Sequence, residues 1–186
     1  VTANRPAFHH SVTTVVGNPK RLSRTLTTAE ALAAALASGL GSEPRATSID
    51  LAELYLDGIE PPHDGFEHAA AQIRSGAVLV VGTPVYKASY TGLLKLFLDQ
   101  LPPGALEGVV AVPVTIAASA EHRLLADLQL RPVLAELGAR LPVPSLTLRE
   151  KELPELPEHI GAWTESYLPA LEASLSYGRT PIGAAA

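Results

Sequence analysis

Two features of the 186-residue sequence predict an α/β fold with a parallel sheet covered on both faces. Short β-rich apolar runs recur along the chain, and the segments between them carry apolar residues every three or four positions. Strands that alternate with helices in this way are buried between two helical layers. Hydrophobic residues make up 47% and charged residues 18%, which is enough for one substantial core. No charge block or Gly/Ser-rich linker divides the chain, so a single domain over residues 1–186 is expected.

The first strand is expected over Val12–Val16. Leu22, Leu26, Ala29, Ala33, Leu36 and Leu40 mark the helix after it, with Gly39 and Gly41 as stop signals. Thr27 and Glu30 fit a capping box at its start, and Ser23 is the alternative start. A weaker extended run covers Arg45–Leu51 and a strongly apolar one Ala77–Val81. Leu93, Leu94, Leu96, Phe97 and Leu101 predict a helix from about Tyr90 to Leu101, and Val109–Val114 supplies the next strand. Leu124, Leu125 and Leu128 lead into a helix that Pro132 bends or divides, because proline lacks an amide donor and clashes with the preceding turn. Val133, Leu134 and Leu137 resume it, and Gly138 ends it. Extended pieces are expected at Ala139–Val143 and Ser145–Leu148. The connection ELPELPEHIG then leads to a terminal helix with Trp163, Tyr167, Leu168 and Leu171. The N-terminal residues, including His9 and His10, read as a flexible leader, and GRTPIGAAA as a loose tail.

Composition excludes several functions. With 14 basic and 19 acidic residues the formal net charge is −5, so there is no electrostatic footprint for nucleic acid and any anion site must be local. The absence of cysteine removes disulfides, thiolate catalysis and cysteine-ligated metals. Six histidines form no H-E-x-x-H pattern, and no metal site is expected. No apolar stretch reaches membrane-spanning length and no secretory signal is visible, so a cytoplasmic protein without membrane attachment is expected.

Two loops carry the chemistry. Gly17-Asn18-Pro19-Lys20-Arg21-Leu22-Ser23-Arg24-Thr25 lies between a strand and a helix, where free amides, a helix dipole, hydroxyls and cations can cradle a phosphate. It is neither G-x-G-x-x-G nor G-x-x-x-x-G-K-[ST]. Composition alone leaves a solvated basic turn equally open, with Ser23 and Thr25 as simple caps. Thr83-Pro84-Val85-Tyr86 follows a buried strand, and with Tyr90 it offers a flat, partly apolar wall suited to an aromatic heterocycle. By themselves the two tyrosines read as packing or interface residues rather than ligand contacts.

The order GNPKRLSRT, then GTPVYKASYTGLLKLFLDQLP, then EHRLLADLQLRPVLAELGA resembles the NADPH-dependent FMN reductase family. The likeness is to the flavin-supplying reductases of two-component alkanesulfonate and EDTA monooxygenase systems, and it covers about residues 12–148. It implies a flavodoxin-like, doubly wound, five-stranded parallel sheet with FMN across the carboxyl ends of its strands. By motif position, Asn18, Ser23, Arg24 and Thr25 match the phosphate loop, with Gly17 and Pro19 shaping its turn. Asn18 stands where the family commonly has serine, and its amide still donates hydrogen bonds. Pro84, Val85, Tyr86 and Lys87 match the second flavin loop, with Ser89 and Tyr90 opening the following helix. A third loop, Thr115-Ile116-Ala117-Ala118-Ser119-Ala120, has alanines where relatives carry a glycine pair, so close backbone approach to the flavin is restricted. Thr115, Ala117, Ala118 and Ser119 are its candidate flavin contacts, and His122 reads as a helix-start or surface residue. Leu128 replaces a tyrosine found in some relatives, which argues against their specialised helix arrangement.

The activity implied is hydride transfer from NADPH, or alternatively NADH, to FMN, with no side-chain nucleophile and no catalytic acid or base. Reduced FMN would leave to supply a monooxygenase. The alternatives are retention of FMN to reduce a quinone, azo compound or other acceptor, and a non-catalytic electron carrier. Family resemblance also favours a homodimer or homotetramer.

Overall fold

The computed structural model describes residues 11–42, 47–56, 58 and 60–177. The expectations for a leader, for a tail and for the first residues of the Arg45–Leu51 run lie outside them. Five strands, β1 (Val12–Val16), β2 (Thr47–Asp50), β3 (Val78–Pro84), β4 (Val110–Ala117) and β5 (Leu146–Arg149), form one parallel sheet. Their order is β2-β1-β3-β4-β5, the flavodoxin-like doubly wound order, with its switch point between β1 and β3. Every residue of β1, β3 and β4 is buried, which is why these segments read as nearly unbroken apolar runs.

Among the described residues, six α-helices flank the sheet: α1 (Arg24–Gly39), α2 (Leu51–Leu54), α3 (His63–Ser75), α4 (Gly92–Asp99), α5 (Arg131–Glu136) and α6 (Leu156–Tyr177). Strand alternation divides the core in two. Val80, Val112 and Val114 meet Leu32 and Leu36 of α1 with Trp163 and Leu171 of α6. Leu79, Val81 and Ala111 point the other way, onto Ile73 of α3, Phe97 of α4 and Leu134 of α5. No described helix is long and apolar enough to cross a membrane.

Several boundaries differ from the sequence reading. Ser23 caps α1 by accepting from the Leu26 amide at 3.2 Å, so the Thr27–Glu30 box lies inside the helix and Leu22 outside it. β3 and β4 run three residues past their apolar cores because Thr83 and Pro84 stay in register with Thr115 and Ile116. Ala139–Val143 is not a strand. It contributes one parallel bridge, Val110 to Arg140, because Pro142 and Pro144 cannot donate to a ladder. The Arg131 guanidinium satisfies this segment instead, donating to the Val143 carbonyl and, at 2.8 Å, to that of Leu141. The central-strand Pro113 is accommodated in the same gap: the Ala111 amide donates to Arg140, and β5 joins only from Val114 onward.

The segment around Leu128 is not a regular α-helix. Ala126–Leu130 forms a π-helical turn, with the Arg131 amide bonding back to the Ala126 carbonyl, and α5 follows directly. Pro132 withholds the donor that an α-helix would aim at the Leu128 carbonyl, which lets the chain widen there. The proline-rich connection before the last helix is itself helical, with a 3-10 turn over Glu150–Glu155 that leads into α6.

The junction of β5 with α6 is held by one ion pair. Glu152 accepts from the Arg149 side chain at 2.8 Å and from the Arg149 amide at 2.7 Å, and these bonds lower its pKa to about 2. An acid depressed in the folded state stabilises above its unfolded pKa of 4.5 and loses that contribution as pH falls toward about 2. Glu152 is 22% exposed, so screening trims the effect to about 1–2 kcal/mol at neutral pH. Glu152→Gln should therefore unfold at lower urea than the unaltered protein at pH 7, with the gap narrowing at pH 4 and again at pH 3. A gap independent of pH would assign the loss to packing.

Candidate functional site

A cleft of about 480 Å³ opens beyond the carboxyl ends of β1, β3 and β4, at the switch point of the sheet. Threonines sew its two principal loops together. The chain leaves β1 at Gly17, whose amide donates to the Gly82 carbonyl at 2.9 Å and whose carbonyl accepts from the Thr91 hydroxyl. Thr91 also caps α4, accepting from the Leu94 amide at 3.2 Å, while its own amide donates to the Thr83 hydroxyl at 3.2 Å. Only glycine fits at position 17, since an added Cβ would stand 2.4 Å from the Leu94 Cβ.

Asn18, 7% exposed, folds the first loop onto itself. Its Nδ2 donates to the Thr25 hydroxyl at 3.1 Å and its Oδ1 accepts from the Lys20 amide at 2.9 Å. Leu22 is left-handed (φ 49°), and its amide lies near the Asp50 carboxylate at the end of β2, whose Oδ1 accepts from the Ala52 amide at 3.0 Å. Burial raises the pKa of that carboxyl, against the opposing influence of the Ala52 and Leu22 amides. The three loop cations separate. Arg21 pairs with Glu53 at 2.8 Å and Arg24 with Glu150 at 3.1 Å, while Lys20 lines the cleft and has no ion pair among the described residues. With no acidic residue in the first turn of α1, the helix dipole adds to the positive potential.

Pro84, Val85 and Tyr86 form the opposite wall, and Ile116 with Ala118 closes the end. Tyr86 and Ser89 exchange backbone bonds of 2.9 and 3.0 Å across a tight turn whose central residues, Lys87 (φ 50°) and Ala88 (φ 60°), are both left-handed without being glycine. Gln129 of the π-helical turn braces it, donating to the Ala88 carbonyl at 3.1 Å. All three left-handed non-glycine residues among those described thus lie in the two loops bordering the cleft, where strain is held by surrounding structure.

Of the residues singled out from sequence, Asn18, Ser23, Arg24, Thr25, Pro84, Val85, Tyr86 and Ala118 line the cleft. Gly17 shapes it from behind. Pro19, Lys87 and Ser119 are not among the lining residues, and Thr115 is buried with its hydroxyl bonded to Thr147 at 3.1 Å. Ala117 is buried in the β4 ladder opposite Arg149. Neither Ala117 nor Ala118 has a positive φ, so loss of the glycine pair strains nothing in this backbone. His122 ends a 3-10 turn and is half-buried. The Val85 amide is committed to the Ile116 carbonyl at 2.9 Å, and the Tyr86 amide to Ser89. Leu22, Ile116 and Glu150 complete the lining without having been singled out as contacts; Leu22 and Ile116 had a local signal in their places inside the basic loop and the third loop, and Glu150 had none. No cluster of His, Asp or Glu able to hold a metal occurs among the described residues.

The model of the family described as NADPH-dependent FMN reductase matches residues 11–152. An FMN reductase (NADPH) of Escherichia coli is 45% identical over 69 residues, a match spanning 37% of this chain and only 36% of that relative. The NADH-dependent FMN reductase SfnE of Pseudomonas putida is 36% identical over 138 residues, covering 69% of this chain and 71% of the relative. Among solved structures, the apo form of the NADH:FMN oxidoreductase EmoB superposes with a TM-score of 0.71 at 31% identity, over 84% of this chain and 89% of that one. The match over residues 11–152, on a five-stranded flavodoxin-like sheet, means that the chain belongs to the NADPH-dependent FMN reductase family.

Proposed function

We propose that the protein catalyses NAD(P)H-dependent reduction of FMN and releases the reduced flavin to a separate monooxygenase. The observation that carries this reading is the pairing, in one cleft, of a cationic helix-start loop with an apolar wall of Pro84, Val85 and Tyr86. A volume of about 480 Å³ lies within the roughly 300–1,000 Å³ typical of small-molecule sites. The residues fit FMN: Ser23, Arg24, Thr25, Lys20 and the first amides of α1 would hold its phosphate, and Tyr86 and Leu22, respectively 51% and 80% exposed, would border its ring. When bound, the flavin supplies the hydride-accepting nitrogen. The chain's task is orientation and exclusion of water. Because the Val85 and Tyr86 amides are already committed, polar backbone contact to the ring falls to the segment around Ala118 and Ser119.

The names of the relatives divide between NADPH and NADH, so both donors belong in the test. Anaerobic stopped-flow mixing of protein, FMN and each donor should bleach flavin absorbance in step with nicotinamide oxidation, and reduced flavin should pass through an ultrafiltration membrane that retains the protein. Flavin that binds but stays oxidised with both donors would end the reductase reading. Reduced flavin retained with the protein would point to an FMN-holding reductase of another acceptor.

A further inference from the structure

We infer that Glu150 sets the flavin affinity of the cleft by competing with the ligand's phosphate for Arg24, an inference that rests on the FMN reading above. Glu150 arrives from the far end of the sheet, one residue past β5, and lines the same cleft as the basic loop. Its Oε1 lies 3.1 Å from Arg24 Nη2, so the guanidinium best placed at the start of α1 is already occupied by a carboxylate. The neighbouring acid, Glu152, is consumed by Arg149, and Arg21 by Glu53, so neither pair relieves this one.

A phosphate entering the loop must draw Arg24 away from Glu150 and then settle beside that negative charge. Both effects oppose binding of an anion and leave an uncharged ligand untouched. A reductase that hands its flavin to another protein gains from such an opposing charge, because it keeps the flavin a substrate that leaves.

Arg24 and Glu150 side chains are 65% and 50% exposed, which limits the effect to that of a surface pair. Glu150→Gln should lower the Kd for FMN about three- to five-fold, read by quenching of flavin fluorescence. Riboflavin, which has the same ring and no phosphate, should bind both proteins equally. In an Arg24→Gln background, Glu150→Gln should tighten FMN less than it does beside an intact Arg24. An unchanged FMN Kd overturns the role of Glu150 while leaving the flavin reading intact, as does equal tightening of FMN and riboflavin. Failure of the unaltered protein to bind FMN at all overturns both.

Discussion

Gly17→Ala should destabilise the protein by about 2–3 kcal/mol and abolish measurable FMN binding, the largest effect expected of a single added methyl group here. The new Cβ would meet the Leu94 Cβ at 2.4 Å and the Leu94 Cα at 2.9 Å, and backbone at the start of a helix cannot step aside as a flexible side chain can. Relief requires moving α4 off the end of β1, which breaks the bond from the Thr91 hydroxyl to the Gly17 carbonyl and opens the joint between the basic loop and the tyrosine loop. Urea midpoints and flavin fluorescence titration check the two halves separately. A variant with an unchanged midpoint and unchanged FMN affinity would show that the close approach does not govern the site.

Thr91→Val should cost about 2–3 kcal/mol through a different physical route. Its hydroxyl is 3% exposed by residue, donates to Gly17 and accepts from the Leu94 amide, so the isosteric valine leaves a buried carbonyl and a buried helix-start amide unpaired. Thr91→Ser keeps both bonds and loses a methyl group, at about 1 kcal/mol or less. Equal loss in the two variants, by urea denaturation, would mean that packing of the methyl group, rather than the hydroxyl, holds the loops.

The layered fold was legible because burial leaves a local record. Val78–Val81 is apolar at every position and Val12–Val16 is broken only by Thr13 and Thr14, since both faces of the central strands are covered, and Leu26, Ala29, Ala33 and Leu36 recur at helical spacing since one face of α1 is. The α3 segment leaves a weaker record because its buried face is small, built on Ala69, Ala70 and Ile73. The residue at position 128 carries no sign of the π-helical turn at Ala126–Leu130. The widening accompanies a missing amide at Pro132.

The same contrast holds at the cleft. The basic loop and the TPVY segment announced themselves by composition and by their places after buried strands, and the sequence by itself determined the alternation of layers, the parallel sheet and the presence of these two loops at its carboxyl end. It also determined that Gly17 precedes the helix, though not that Leu94 makes glycine necessary. Tertiary structure alone decided which cations face the cleft, that Glu150 enters it to hold Arg24, and that the Val85 amide is spent on Ile116. Periodic burial acts over a few neighbouring residues and is written in their order, whereas these pairings depend on which strands the sheet sets side by side and exist only once it has formed.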